Sequence, residues 1–247
     1  MKARLRENLH RLILFPVTVN GVALGLLILA PFVGVRSPLT AVQMLWLNLV
    51  LIPLGTLALA ADPPRSNPTD CELEDPPGDT TEKLSLPPLE GKTEADSPEE
   101  QRNLRAALPS MAKHLFVTGF LYLVFLVWFL HNMQRGGMGD YDLSKFFTIF
   151  AMLHIWNLFN VRCWDQADSA FSNLQQSRAF HSIMFTLFLG QAGITQWGGP
   201  LFRVVPLAGP DWMKIVTATS VVLWIGELWR LSLRMASGDG ASRAEGS

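Results

Sequence analysis

A chain of 247 residues that is 49% hydrophobic, with a formal net charge of −1, is too apolar for the polar surface of an ordinary soluble domain. Near-neutral charge gives no electrostatic argument for nucleic acid, and no nucleic-acid partner is expected. The two cysteines, Cys71 and Cys163, have no His or Cys at ligand spacing; they read as free thiols, against a disulfide or a zinc site.

Met1 to Arg11 is basic and runs into a long apolar stretch without a small-residue cleavage site, which reads as a retained anchor. Six apolar segments follow: Leu12–Gly34, Leu39–Ala61, Leu115–Leu130, Phe146–Val161, Phe180–Trp197 and Trp212–Leu233. The first, second and sixth have the length of a spanning helix. The middle three are short, but Lys113, His131 and Lys145 flank them and Trp residues stand at several ends, as at a membrane interface. The second segment opens after Ser37-Pro38 and closes on Asp62-Pro63-Pro64, where proline stops a helix. The expectation is an all-α membrane protein, a six-helix transmembrane bundle.

Composition divides the chain further. Residues 1–61 hold the first hairpin, and residues 113–234 hold four more membrane helices. Between them, residues 62–112 are rich in Pro, Asp, Glu, Ser and Thr. Such a segment buries too little apolar area to offset its ordering entropy, and a long, acidic, disordered cytoplasmic loop is expected. Within it Glu99–Leu108 reads as a short juxtamembrane helix, and residues 235–247 as a flexible tail. With the N-terminus cytoplasmic, Lys2, Arg4, Arg6, Arg11, Arg162, Arg178, Arg230 and Arg234 gather on one side, against Arg36, Arg135 and Arg203 opposite. The positive-inside rule then puts both termini in the cytoplasm.

Polar groups at membrane depth are costly, so their default reading is functional. Asn20 lies in the first helix, and Gln43 and Asn48 in the second, with Pro53 after them. His154, Asn157 and Asn160 recur every three residues in the fourth, and Gln191 and Thr195 share a face of the fifth. One reading is a cation pathway lined by amides. The other is interhelical hydrogen-bond glue, and we prefer it on the residues alone, because no Asp or Glu sits at the centre of any helix to supply charge. His154 alone could be a proton relay or a soft-metal ligand, or a hydrogen-bonded interior residue. Glu227, near the end of the last helix, reads as an ion-pair partner of Arg230. Neither a Gly-rich phosphate loop nor a nucleophile-and-base arrangement is found, so no enzyme chemistry is expected.

FPVTVNGVAL (Phe15–Leu24), SPLTAVQMLWLNLVL and LALAADPP together resemble the fifth and sixth membrane helices of P-type calcium-transporting ATPases. KFFTIFAMLHIWNLFNVR (Lys145–Arg162) and DSAF (Asp168–Phe171) are similar to the eighth helix and the loop after it. GQAGITQWGGPLFRVVPL and DWMKIVTATSVVLWIGELWRL are similar to the ninth and tenth, in the bacterial branch of the plasma-membrane type. The likeness covers nearly everything except the acidic loop, and implies six membrane helices with cytoplasmic termini, in a bacterial inner membrane.

That resemblance also implies remnant cation-site positions at Asn20, Asn48, His154 and Asn157. Where the family has an Asp four residues after the second Asn, this chain has Ile52. The family's fourth-helix Glu, its catalytic domains and its DKTG motif find no counterpart here. The implied protein is non-catalytic, a partner or regulatory subunit or a degenerate fragment. It carries no cofactor, and holds Ca²⁺ only weakly or in complex. Its surroundings are the lipid bilayer and a P-type ATPase catalytic chain or another membrane protein. The alternatives are the transport half of a split cation pump and, from another class, a small channel or proton-linked carrier using His154.

Overall fold

The computed structural model describes residues 2–62, 98–163, 169–171 and 177–244; most of the expected acidic loop, Cys71 and Asp168 lie outside them. Among the described residues the regular structure is all helical. Helix α1 runs Lys2–Leu29 and tightens into a 3₁₀ turn, Ala30–Val33. A second stretch combines α2 (Ala41–Trp46), a π-turn (Leu47–Leu51) and α3 (Ile52–Ala60). Four more helices follow: α4 (Pro98–Arg135), α5 (Asp140–Arg162), α6 (Arg178–Trp197) and the short α7 (Gly199–Phe202). Last comes α8 (Gly209–Ala244).

Local chemistry accounts for several of these limits. Thr40 and Gln43 form a capping box at the start of α2: the Gln43 N–H donates to Thr40 Oγ1 at 3.2 Å and the Thr40 N–H to Gln43 Oε1 at 2.9 Å. The Gln43 amide nitrogen also donates to the Phe202 carbonyl at 2.8 Å. Gln43, read from the sequence as a polar group at membrane depth, is a cap and a tie to α7. Helix α4 begins on a proline, a residue suited to a first turn whose N–H groups have no helical acceptor. It carries Glu99–Leu108 and Leu115–Leu130 as one continuous helix. Helix α8 continues through residues 235–244, across most of the stretch read as a tail, since no proline stops it.

Among the described residues, four stretches are long and apolar enough to cross a membrane: His10–Val33, Ala41–Ala60, Leu115–Arg135 and Gly209–Ser232. Helices α5 and α6 fall outside that group, and for α5 the reason is positional. Helix α5 has 16 of its 23 residues buried and packs against α1, α3, α4, α6 and α8. Its polar side chains face other helices, so it has no need of the all-round apolarity of a lipid-facing helix. It is the axis of the bundle. Large apolar side chains point outward instead from α1, α4 and α8, among them Leu24, Phe116, Phe120, Trp128, Trp224 and Leu228. Protein–lipid contact, in place of a polar surface, accounts for that distribution.

The two ends of the bundle are tied differently. At one end the Tyr141 hydroxyl donates to Asp211 Oδ2 at 2.6 Å and accepts the Ala208 N–H. There the Val205 N–H donates to Ser144 Oγ at 2.7 Å, and Lys145 lies 3.6 Å from Asp211. At the other end, Arg162 and Asp62 form an ion pair with both side chains 1% exposed, Nε to Oδ2 at 2.7 Å. Ser177 donates to the second Asp62 oxygen at 2.5 Å, and the Arg162 Nη1 donates to the Ala170 carbonyl at 3.1 Å. The Arg162 guanidinium also lies over the Phe180 ring, 5.1 Å from its centre. Glu227 accepts the Ala170 N–H with both oxygens at 3.1 Å and pairs with Arg230 at 3.2 Å. Ala170, within the DSAF stretch, is thus gripped on both sides of its peptide.

Close helix approach depends on small residues. A Cβ at Gly55 would lie 2.5 Å from the Phe15 ring and 3.1 Å from Leu158, where α3 meets α1 and α5. Gly55→Val is expected to lower stability by about 1–3 kcal/mol through overpacking, read as a lower midpoint in denaturing-detergent titration followed by circular dichroism. Asp62→Ala strands a buried guanidinium and should cost about 3–5 kcal/mol, whereas Asp62→Leu with Arg162→Met should recover much of that loss. The same titration measures both.

Candidate functional site

Helix α5 presents His154, Asn157 and Asn160 in successive turns, and each meets a different environment. His154 is fully buried, with Nδ1 2.8 Å from the Phe150 carbonyl. Its ring lies 4.4 Å from the Phe150 ring and edge-on to Tyr122 at 5.8 Å. Asn157, also fully buried, accepts the Tyr122 hydroxyl at Oδ1, 2.9 Å away. Asn160 donates to the Val222 carbonyl of α8 at 3.1 Å, and its Oδ1 accepts from Arg230 at 3.3 Å. Gly226 permits that contact, because a Cβ there would collide with Asn160 Oδ1.

Other polar groups join helices in the same way. Trp46 Nε1 donates to Gln191 Oε1 at 3.1 Å, Gln191 Nε2 donates to Thr195 at 3.3 Å, and Thr195 meets Thr148 of α5 at 3.0 Å. Trp156 Nε1 donates to Thr219 of α8 at 3.2 Å. Buried polar side chains thus connect α5 to α4, α6 and α8, and α6 to α2.

Asn20 and Asn48 are placed differently. Both are exposed on the outside of the bundle. Each amide nitrogen donates to the carbonyl four residues back on its own helix, Asn20 to Pro16 at 3.1 Å and Asn48 to Met44 at 2.9 Å. His154 and Asn157 adjoin one another through Tyr122; Asn20 and Asn48 stand on the outer surface.

Between Asn48 and Pro53 the helix changes register. The Ile52 N–H reaches back five residues to the Leu47 carbonyl, closing a π-turn over Leu47–Leu51. Pro53 has no N–H to give the Leu49 carbonyl and its ring crowds that turn, so a wider turn just before it relieves both problems. Ile52 is nearly buried, at 9% exposed. Among the described residues no group of three or more His, Cys, Asp or Glu side chains could hold a metal ion. The arrangement offers neutral amide and imidazole groups, a weak donor set for a hard divalent cation.

Sequence reasoning missed Tyr122 and the Asp62–Arg162 pair. A signal for the first was present: Tyr122 is one of only two tyrosines, and a phenol inside an apolar helix requires a hydrogen-bond partner. The pair offered no such signal, since its members lie 100 residues apart.

The family described as cation transporting ATPase, C-terminus, matches residues 96–232. Plasma membrane calcium-transporting ATPase mca-1 of Caenorhabditis elegans is 28% identical over 233 residues, covering 88% of this chain and 16% of its own length. Calcium-transporting ATPase 12, plasma membrane-type, of Arabidopsis thaliana is 28% identical over 226 residues, covering 89% and 19%. Plasma membrane calcium-transporting ATPase 1 of Homo sapiens is 26% identical over 260 residues, covering 97% and 19%. The chain spans less than a fifth of the length of each of these relatives. With more than half of its residues matched, an all-helical bundle and polar side chains gathered between its helices, the chain belongs to the cation transporting ATPase C-terminal family.

Proposed function

We propose that this chain is a non-catalytic membrane scaffold with an impaired cation site that acts docked to another membrane protein. In this reading α1, the α2–α3 unit, α4, α5, α6 and α8 all span the bilayer. Both termini and the 62–112 loop are cytoplasmic, the loop acidic and disordered, and the membrane is a bacterial inner one. Support for six spans comes from the burial of α5: a central helix tolerates polar residues that a lipid-facing one does not. Orientation rests on the positive-inside bias, including Arg230 and Arg234 near the end of the apolar stretch of α8.

One observation carries the functional reading. Ile52 stands where the resemblance implies a carboxylate, while Asn20 and Asn48 sit exposed on the outside of the bundle. A divalent cation among these groups would meet no negative ligand, which argues for weak binding at most. Outward amides at membrane depth in turn favour a polar neighbour over lipid. Asn20, Asn48, His154 and Asn157 are on this view inherited positions of a cation site whose charge is gone.

The second reading, the transport half of a split cation pump, is favoured by the same outward amides, since a further membrane helix bearing a carboxylate could complete them. Titration of radioactive calcium separates the two. The isolated chain is expected to show no tight, saturable binding, and such binding would overturn the proposal. Co-purification with a DKTG-containing chain and calcium-dependent ATP hydrolysis would establish the second reading instead. Ile52→Asp, which restores one carboxylate, is expected to increase calcium retention measurably in the presence of such a partner.

A further inference from the structure

The Tyr122–His154–Asn157 cluster holds two buried polar atoms that its own hydrogen bonds do not use. The His154 Nδ1 faces the Phe150 carbonyl at 2.8 Å, and a carbonyl only accepts, so Nδ1 carries the ring proton. Nε2 is then a bare acceptor, fully buried and without a partner among the described residues. Asn157 is the complementary case. Its Oδ1 receives the Tyr122 hydroxyl, and its Nδ2, also fully buried, donates to nothing among the described residues. One acceptor and one donor are thus left over on residues one helical turn apart, His154 edge-on to the Tyr122 ring and Asn157 bonded to the Tyr122 hydroxyl.

We infer that this cluster binds a single structural water between α4 and α5, and that His154 is a water ligand rather than a metal ligand. A water molecule accepts from Asn157 Nδ2–H and donates to His154 Nε2, satisfying both atoms at once. Ordering one water costs less than leaving two buried polar atoms unpaired. A metal cation fits poorly, because the Asn157 amide hydrogens are repelled by positive charge and, among the described residues, no group of three or more His, Cys, Asp or Glu side chains could hold one. An ammonium-type ligand meets the same obstacle at Nδ2. The resulting chain runs from the Tyr122 hydroxyl through Asn157, the water and His154 to the Phe150 carbonyl.

Solid-state NMR of the unaltered full chain in lipid bilayers, with ¹⁵N in the histidine rings and asparagine side chains, reads this directly. The His154 signals are assigned by their loss in His154→Phe, or in His154→Gln if the first variant does not insert. The expected result is a protonated Nδ1, an unprotonated Nε2, and magnetisation transfer from water protons to both Nε2 and the Asn157 amide. In Asn157→Leu the transfer to Nε2 should fall severalfold. A protonated Nε2, a direct Asn157–His154 hydrogen bond without water transfer, or the absence of water transfer at either atom would each overturn the inference.

Discussion

Asp62 and Arg162 meet with almost no solvent contact, and the arrangement of the bundle depends on that meeting. An ion pair taken out of water keeps its charges only when its remaining hydrogen-bonding capacity is satisfied. Here Ser177 takes the second carboxylate oxygen, the Ala170 carbonyl takes one Nη1 hydrogen, and Phe180 covers the guanidinium. Four places in the chain converge on one point: the end of α3, the end of α5, the DSAF stretch and the start of α6. Glu227 and Arg230 of α8 extend the network by gripping the other side of the Ala170 peptide. The N-terminal hairpin and the remaining helices, far apart in sequence, are thereby locked in register.

Around that lock, α5 sets the chemistry of the interior. Because it is surrounded by other helices, it can carry Thr148, His154 and Asn157 without exposing them to hydrocarbon. Each polar group then either binds a neighbouring helix or, at Nε2 of His154 and Nδ2 of Asn157, retains capacity for a small protic ligand. The same placement separates these residues from Asn20 and Asn48, which stand on the outer surface with their donors turned onto their own helices. A cation site distributed over these positions would need a neighbour outside the described helices and a source of negative charge.

Much of the fold was legible in the residues. Apolar segments longer than a soluble helix requires, closed by Ser37-Pro38 and Asp62-Pro63-Pro64, locate the first two membrane helices because proline and hydrocarbon thickness are local constraints. The family was legible too, since whole blocks such as HIWNLFNVR retain their order. Helix ends were less so: α1, α4 and α8 extend beyond their apolar cores, and hydrophobicity marks where a helix meets lipid, not where its backbone ladder stops.

What the sequence by itself determined is the membrane class, the order of helices and the family, all properties of single residues or short runs. Tertiary structure decided the rest. It made α5 the axis, turned Gln43 into a cap, placed Asn20 and Asn48 outside, and paired Asp62 with Arg162. It also set Tyr122 against Asn157. Each of these depends on which face of a helix meets which neighbour, and periodicity alone does not fix that when apolar side chains suit both lipid and a helix interface.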